Sequence, residues 1–321
     1  MYVSHRAGLG LLAAALAAAP ASVLACSSCG CTVGTEWAGT GYTTATGLRL
    51  DLRYDYVDQN ALFLGSHNVD KAHYTPADPD QEVQQGTLTR FYTLGADYSI
   101  NRDWGLNVQL PYLNREHETV EPAGTPQSGS HYDGIGDLRI LARYQGFFED
   151  RTFGVQFGIK LPTGAFHNAF NSGPGQGEQV DRGLQPGTGT TDLLLGVYRY
   201  SPFARDWDHF EELQLKQALD SREQFRPSTQ VTATAGVRYV AYSKVVPQLQ
   251  LNLKWEGRET GGQADYVNSG SRVAYLSPGA TVRVLHSLQA YGFVQVPVYQ
   301  YYTGLQLAPH FTATAGLSYS F

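Results

Sequence analysis

Leu48-Arg-Leu-Asp-Leu-Arg-Tyr-Asp-Tyr56 alternates without interruption: Leu48, Leu50, Leu52, Tyr54 and Tyr56 share one parity, and Arg49, Asp51, Arg53 and Asp55 share the other. Successive side chains of an extended chain point to opposite faces, so this stretch reads as a strand with one apolar face and one fully charged face. If the apolar face meets lipid, the charges must face an enclosed lumen, because an Arg on the lipid side near the midplane costs about 2 to 4 kcal/mol. Residues 249–255, Leu-Gln-Leu-Asn-Leu-Lys-Trp, repeat the pattern with Gln250, Asn252 and Lys254 inside. The chain ends Leu317-Ser-Tyr-Ser-Phe321, which alternates again and stops on an aromatic, as the last strand of a bacterial outer-membrane barrel does.

The N-terminus supports this compartment. His5 and Arg6 precede an apolar Ala/Leu run that closes on Val23-Leu24-Ala25. That is a charged region, an apolar region and a small-residue cleavage site, so residues 1–25 read as a secretory signal peptide. Beyond it no segment approaches the ~20 consecutive apolar residues of a transmembrane helix. Composition fits a barrel: 35 Gly, 21 Tyr, 14 Phe and only 16% charged residues, with a mean hydropathy of -0.29. A polar lumen and an apolar exterior alternating along every strand average to such a middling value. A net charge of -6 argues against a nucleic-acid partner, since phosphate binding needs a basic surface.

Segments of about ten residues, the length of a tilted membrane strand, recur along the chain. Residues 48–56, 87–100, 104–114, 137–145, 153–161, 192–200, 210–219, 231–242, 249–255, 274–284, 288–299 and 310–321 give an all-β barrel of about twelve antiparallel strands, an even number. The weakest is 210–219, where Glu211, Glu212, Gln214 and Lys216 blur the alternation. The connections alternate long and short: 58–86, 119–136 and 165–191 against 101–103, 148–152 and 242–244. Long extracellular loops and short periplasmic turns predict this rhythm. Aromatics such as Tyr54, Trp104, Tyr112, Tyr198, Trp255 and Phe321 sit near strand ends, where interfacial girdles form.

Several segments resemble a family. "GIGDLRILARYQ" from Gly134, "GIKLPTG" from Gly158, "PGTGTTDLLLGVYRY" from Pro186 and "YLSPG" from Tyr275 are similar to outer-membrane proteins grouped under the meta-pathway of phenol degradation. The N-terminal "CSSCGCTVG" looks like a Cys-bearing branch of that group. The resemblance covers about 48–321 and implies a membrane barrel and a transport role, without naming a solute. In physical terms the glycines precede strands, where the chain leaves a long loop. Asp137 and Asp192 then stand at equivalent positions, either as carboxylates at the outer mouth or as partners of loop amides. Gly187-Thr-Gly189-Thr-Thr-Asp192 lacks the third glycine of a dinucleotide fingerprint and precedes a strand, so it implies no nucleotide.

Cys26, Cys29 and Cys31 are the three cysteines of the chain. At the mature N-terminus they could form a disulfide with one thiol left over, hold a soft metal such as copper(I) or zinc, or carry a lipid on Cys26. His67, His73, His117, His131 and His167 fall in expected extracellular loops, with Asp58, Asp70, Asp78, Asp80 and Glu82 beside the first two. Metal capture is the sharp reading there and solvated loops the plain one. An esterase-type site would need a Ser beside an oriented His. Ser66-His67 and His286-Ser287 are adjacent in sequence and point apart in extended chain, so no enzyme is expected.

The sequence therefore implies a signal peptide (1–25), a Cys-bearing periplasmic segment or small plug (26–47) and a transmembrane barrel (48–321) in the outer membrane of a Gram-negative bacterium. The surroundings are outer-membrane lipid and lipopolysaccharide. The expected role is passive passage of small solutes, lined by Arg49, Asp51, Arg53, Asp55, Arg90, Arg139, Arg143, Lys160, Gln250, Asn252 and Lys254. Basic residues outnumber acidic ones in that set, which favours anions. The competing reading is a metal-binding or redox module facing a periplasmic partner, with the barrel as anchor.

Overall fold

The computed structural model describes residues 46–74, 82–120 and 127–321. Their strands are β1 (Gly47–Gly65), β2 (His67–Val69), β3 (Val83–Ser99), β4 (Trp104–Val120), β5 (Ser128–Ile135), β6 (Leu138–Tyr144) and β7 (Phe153–Leu161). β8 (Asp192–Ala204), β9 (Trp207–Ala218), β10 (Gln230–Tyr239), β11 (Val245–Glu256), β12 (Ser271–Arg283) and β13 (Leu288–Ser320) follow. All lie in one antiparallel sheet, and β13 pairs back onto β1 to close it. Among the described residues closure leaves the wall strands without a free edge, which a hydrocarbon solvent requires.

β2 folds against the end of β1, and β5 continues the pairing of β4 above β6. The other eleven strands form the wall. β13 is 33 residues long and doubles back at Gly304, whose φ of 70° suits glycine. Residues 289–302 pair with β12 and residues 302–320 with β1. Thr312 Oγ1 donates to Gln295 Oε1 across the two arms at 3.1 Å. The chain thus crosses the wall about twelve times, the even number expected.

The outer face carries the apolar parity. Leu52 is 53% and Leu94 55% exposed, side by side on β1 and β3. Aromatic pairs flank this band. Trp104 with Tyr144, Trp207 with Tyr239 and Tyr319 with Phe321 lie at the short-turn end. Tyr54 with Tyr92 and Tyr56 with Phe311 lie toward the long-loop end. On the inner face large rings lie across glycines of neighbouring strands: a β-carbon at Gly316 would collide with the ring of Tyr291.

β1, β3 and β4 are longer than expected, at 19, 17 and 17 residues, whereas a bilayer needs about 9–11. Their outer ends enclose a second small core of Leu62, Val83, Leu305 and Leu307 with Val69, Tyr74 and Val120 against it. Much of the expected loops 58–86 and 119–136 is therefore strand, including β5. These parts were illegible because both faces turn polar there: Arg115, His117 and Thr119 point inward, and Glu116 and Glu118 outward. Cys26, Cys29, Cys31 and residues 1–25, expected to be a signal peptide, lie outside the described residues.

Candidate functional site: the lumen and its inward loop

Strand parity sends Arg49, Asp51, Arg53 and Asp55 of β1 inward, together with Arg139 and Arg143 of β6, Lys160 of β7, and Gln250, Asn252 and Lys254 of β11. Arg90 goes the other way. On β3 the inner parity belongs to Thr87, Thr89, Thr93 and Asp97, all buried, so Arg90 shares the outer parity of Tyr92 and Leu94. It reaches Glu116 at 2.9 Å and Asn114 at 3.0 Å near the outer tyrosines. Reading every charge as inward failed here because a cation at the interface can pair with a neighbour on the same face.

The inward cations meet carboxylates that the sequence reading did not connect to them. Near the periplasmic end Arg143 bonds Asp97 at 3.2 Å and Ser99 at 2.9 Å, and Arg49 lies 3.8 Å from Asp97. Higher up, Arg53 Nε donates to Asp55 at 2.8 Å, and Thr314 donates to the other oxygen of Asp55. On the far wall Lys254 pairs with Glu256 at 2.8 Å and Arg238 bidentately with Asp208 at 2.7 Å. Asn252 is held between Thr234 and Ser277. A count of basic lumen residues therefore overstates the local positive charge.

At the outer end Lys160 joins the two aspartates singled out in the sequence. Its ammonium lies 2.6 Å from Asp137 and 3.2 Å from Asp192. Asp137 also accepts from the amides of Gly164 and Thr188 at 3.0 Å. Both readings of these aspartates hold for Asp137, which faces the lumen and fastens loop amides. Gly187 must be glycine-sized, since a β-carbon there would strike the Gly164 carbonyl and Asp137, and Gly189 has a φ of 73°.

Through these contacts the loop 165–191 folds against the inner wall. Phe170, Val180 and Leu184 form its own core, and Leu184 is 0% exposed. The Leu184 carbonyl accepts from Arg115 of β4 and from the Tyr132 hydroxyl of β5. Arg182 lies between the rings of Phe166 and Phe225, at 4.5 and 5.0 Å from their centres. His167 meets Glu223 at 2.8 Å, tying this loop to residues 219–229. Burial pushes the Asp181 carboxyl well up, helped by Glu82, Asp265 and Glu259 nearby. The bond to His167 holds Glu223 below its usual value.

Beneath the loop lies a cavity bounded by β1, β3, β4, β6, β7 and β9 and by Gln185, Pro186 and Thr188. Five cationic side chains, Arg53, Arg115, Arg139, Lys160 and Lys216, line it against two anionic ones, Asp55 and Asp137. Arg115 and Lys216 had no place in the sequence-based set. Arg115 lay past the end of an expected strand, and Lys216 in the strand where alternation was blurred. That blur has a physical cause: Glu211 points outward and pairs with His209 at 2.6 Å, while Glu212 and Lys216 take the inner parity.

The histidines do not gather. His117 lies in β4, not a loop, and is 2% exposed with Nδ1 2.8 Å from the Thr87 hydroxyl. His73 pairs with Asp70, and His67 and His131 are exposed. Among the described residues no group of three or more His, Cys, Asp or Glu is placed to hold a metal.

No family model matches the chain. No curated protein matches it. Solved structures do. An outer-membrane channel from Pseudomonas putida F1 superposes with a TM-score of 0.64 at 13% identity, covering 90% of this chain and 100% of that one. The transport unit of the autotransporter AIDA-I from Escherichia coli gives 0.51 at 11% identity, covering 86% and 90%. The fold is that of Gram-negative outer-membrane barrels. Since a channel and an autotransporter unit share it, function must come from the lumen.

Proposed function

We propose that the chain is an outer-membrane channel through which small solutes diffuse, with a preference for anions set at the inward loop. The observation that carries this reading is the cavity beneath that loop, where cationic side chains outnumber anionic ones on the inner wall. Arg238 and Lys254 on the far wall are each matched by a carboxylate, Asp208 and Glu256, whereas the cavity lining carries cations in excess. Charged rings in a low-dielectric passage select by sign. The Pseudomonas structure is that of an outer-membrane channel, which agrees with this role. Outer-membrane lipid faces the Leu52–Leu94 band, and lipopolysaccharide is the neighbour proposed for the outer strand ends.

Swelling of liposomes holding the refolded protein, in graded sugars and organic acids, tests the proposal. Small organic acids should enter faster than sugars of equal mass. Equal rates would remove the anion preference, and no swelling in any solute would remove the channel.

A further inference from the structure

We propose that the cavity under the loop is a binding station for small organic anions with an apolar body, a carboxylate on a short hydrocarbon being the simplest. The inference rests on the channel reading and gives it a substrate class. Arg115 is 3% exposed, and its guanidinium is held by the Thr89 hydroxyl and the Leu184 carbonyl, both uncharged. Lys216 enters the same cavity from β9. Among the described residues neither has a carboxylate within ion-pair distance, unlike Lys160 and Arg53, and Lys216 feels the Glu256 charge only at longer range. A buried guanidinium held only by uncharged groups, as Arg115 is, is costly, and an arriving carboxylate relieves that cost with charge-assisted hydrogen bonds, Lys216 adding a second cation.

The rest of the lining sets the other half of the ligand. Phe91, Leu113 and Pro186 bring apolar surface into the same space. A hydrated inorganic ion gains nothing from it, and a sugar would leave hydroxyls facing hydrocarbon. A hydrocarbon body packed there with its carboxylate toward Arg115 and Lys216 satisfies both kinds of wall, the usual composition of a ligand site. The loop closes the space from outside through Gln185 and Thr188, which are themselves tied to Asn168, Asp137 and Lys160.

Equilibrium dialysis of the full chain folded in detergent, with cyclohexanecarboxylate, acetate and cyclohexanol as probes, tests the site. Cyclohexanecarboxylate should bind saturably and about tenfold more tightly than either acetate or cyclohexanol. Lys216→Gln should weaken it about tenfold. Phe91→Ala should weaken cyclohexanecarboxylate about fivefold and leave acetate unchanged. Equal binding of all three probes, or of wild type and both variants, overturns the proposal. Chloride conductance measured on the same preparations separates the two readings. Binding without conductance keeps the site and removes the channel, whereas conductance without saturable binding removes the site alone.

Discussion

The Lys160 ammonium on β7 lies 2.6 Å from Asp137 at the mouth of β6, and the same aspartate takes the amides of Gly164 and Thr188. One ion pair therefore fixes the wall and the inward loop together. Both side chains are buried, as is Asp192 behind them. Removing one partner of such a group strands the others without compensation. Lys160→Met should cost about 3 to 5 kcal/mol and release the loop. Denaturant unfolding and open-channel current noise check it: a lower midpoint and a noisier current are expected, and an unchanged midpoint would contradict the role given to the pair.

The apolar band predicts the sign and size of a second change. Leu94 lies beside Leu52 on the outer face, below the Tyr54–Tyr92 girdle. Leu94→Arg should destabilise the barrel in phospholipid vesicles by about 2 to 4 kcal/mol, measured by reversible unfolding. Thr93→Arg is the companion, since Thr93 is on the inner face. If Leu94→Arg proved the milder of the two, the assignment of faces would be wrong.

Asp181 predicts a pH dependence. Burial first, and then Glu82, Asp265 and Glu259, raise its pKa above the unfolded value. The folded state therefore holds the proton over a window in which the unfolded chain has lost it. The stabilising contribution is complete below the unfolded pKa and disappears as pH rises toward the folded one. Asp181→Asn keeps a neutral side chain at every pH. Its advantage over wild type in loop stability, read from protection of the Val180 and Leu184 amides corrected for intrinsic exchange, should be absent at pH 3.5 and present at pH 7. An advantage that did not change between those values would refute the assignment.

The wall was legible because lipid enforces strict alternation: Leu48 to Tyr56 and Leu249 to Trp255 could be assigned face by face from sequence. Legibility ended where lipid ended. Above the membrane both faces of β4 are polar, so Arg115 fell past the end of the expected strand and His117 read as loop, and both are strand. Arg90 was misplaced for a related reason, since it sits at the girdle with Glu116 beside it and a charge there need not point inward. Asp137, Asp192 and Lys160 were each visible as residues. Their meeting depends on three strands and a folded loop, which no local pattern encodes.

If the cavity beneath the loop selects anions, the reversal potential across a potassium chloride gradient in planar bilayers carries its sign. The wild type should reverse toward the chloride equilibrium potential, Lys216→Gln should move toward zero, and Arg90→Gln, altered only on the outer face, should match the wild type. A wild type that reverses toward the potassium potential, or a Lys216→Gln variant indistinguishable from wild type, would mean that the cavity does not select anions.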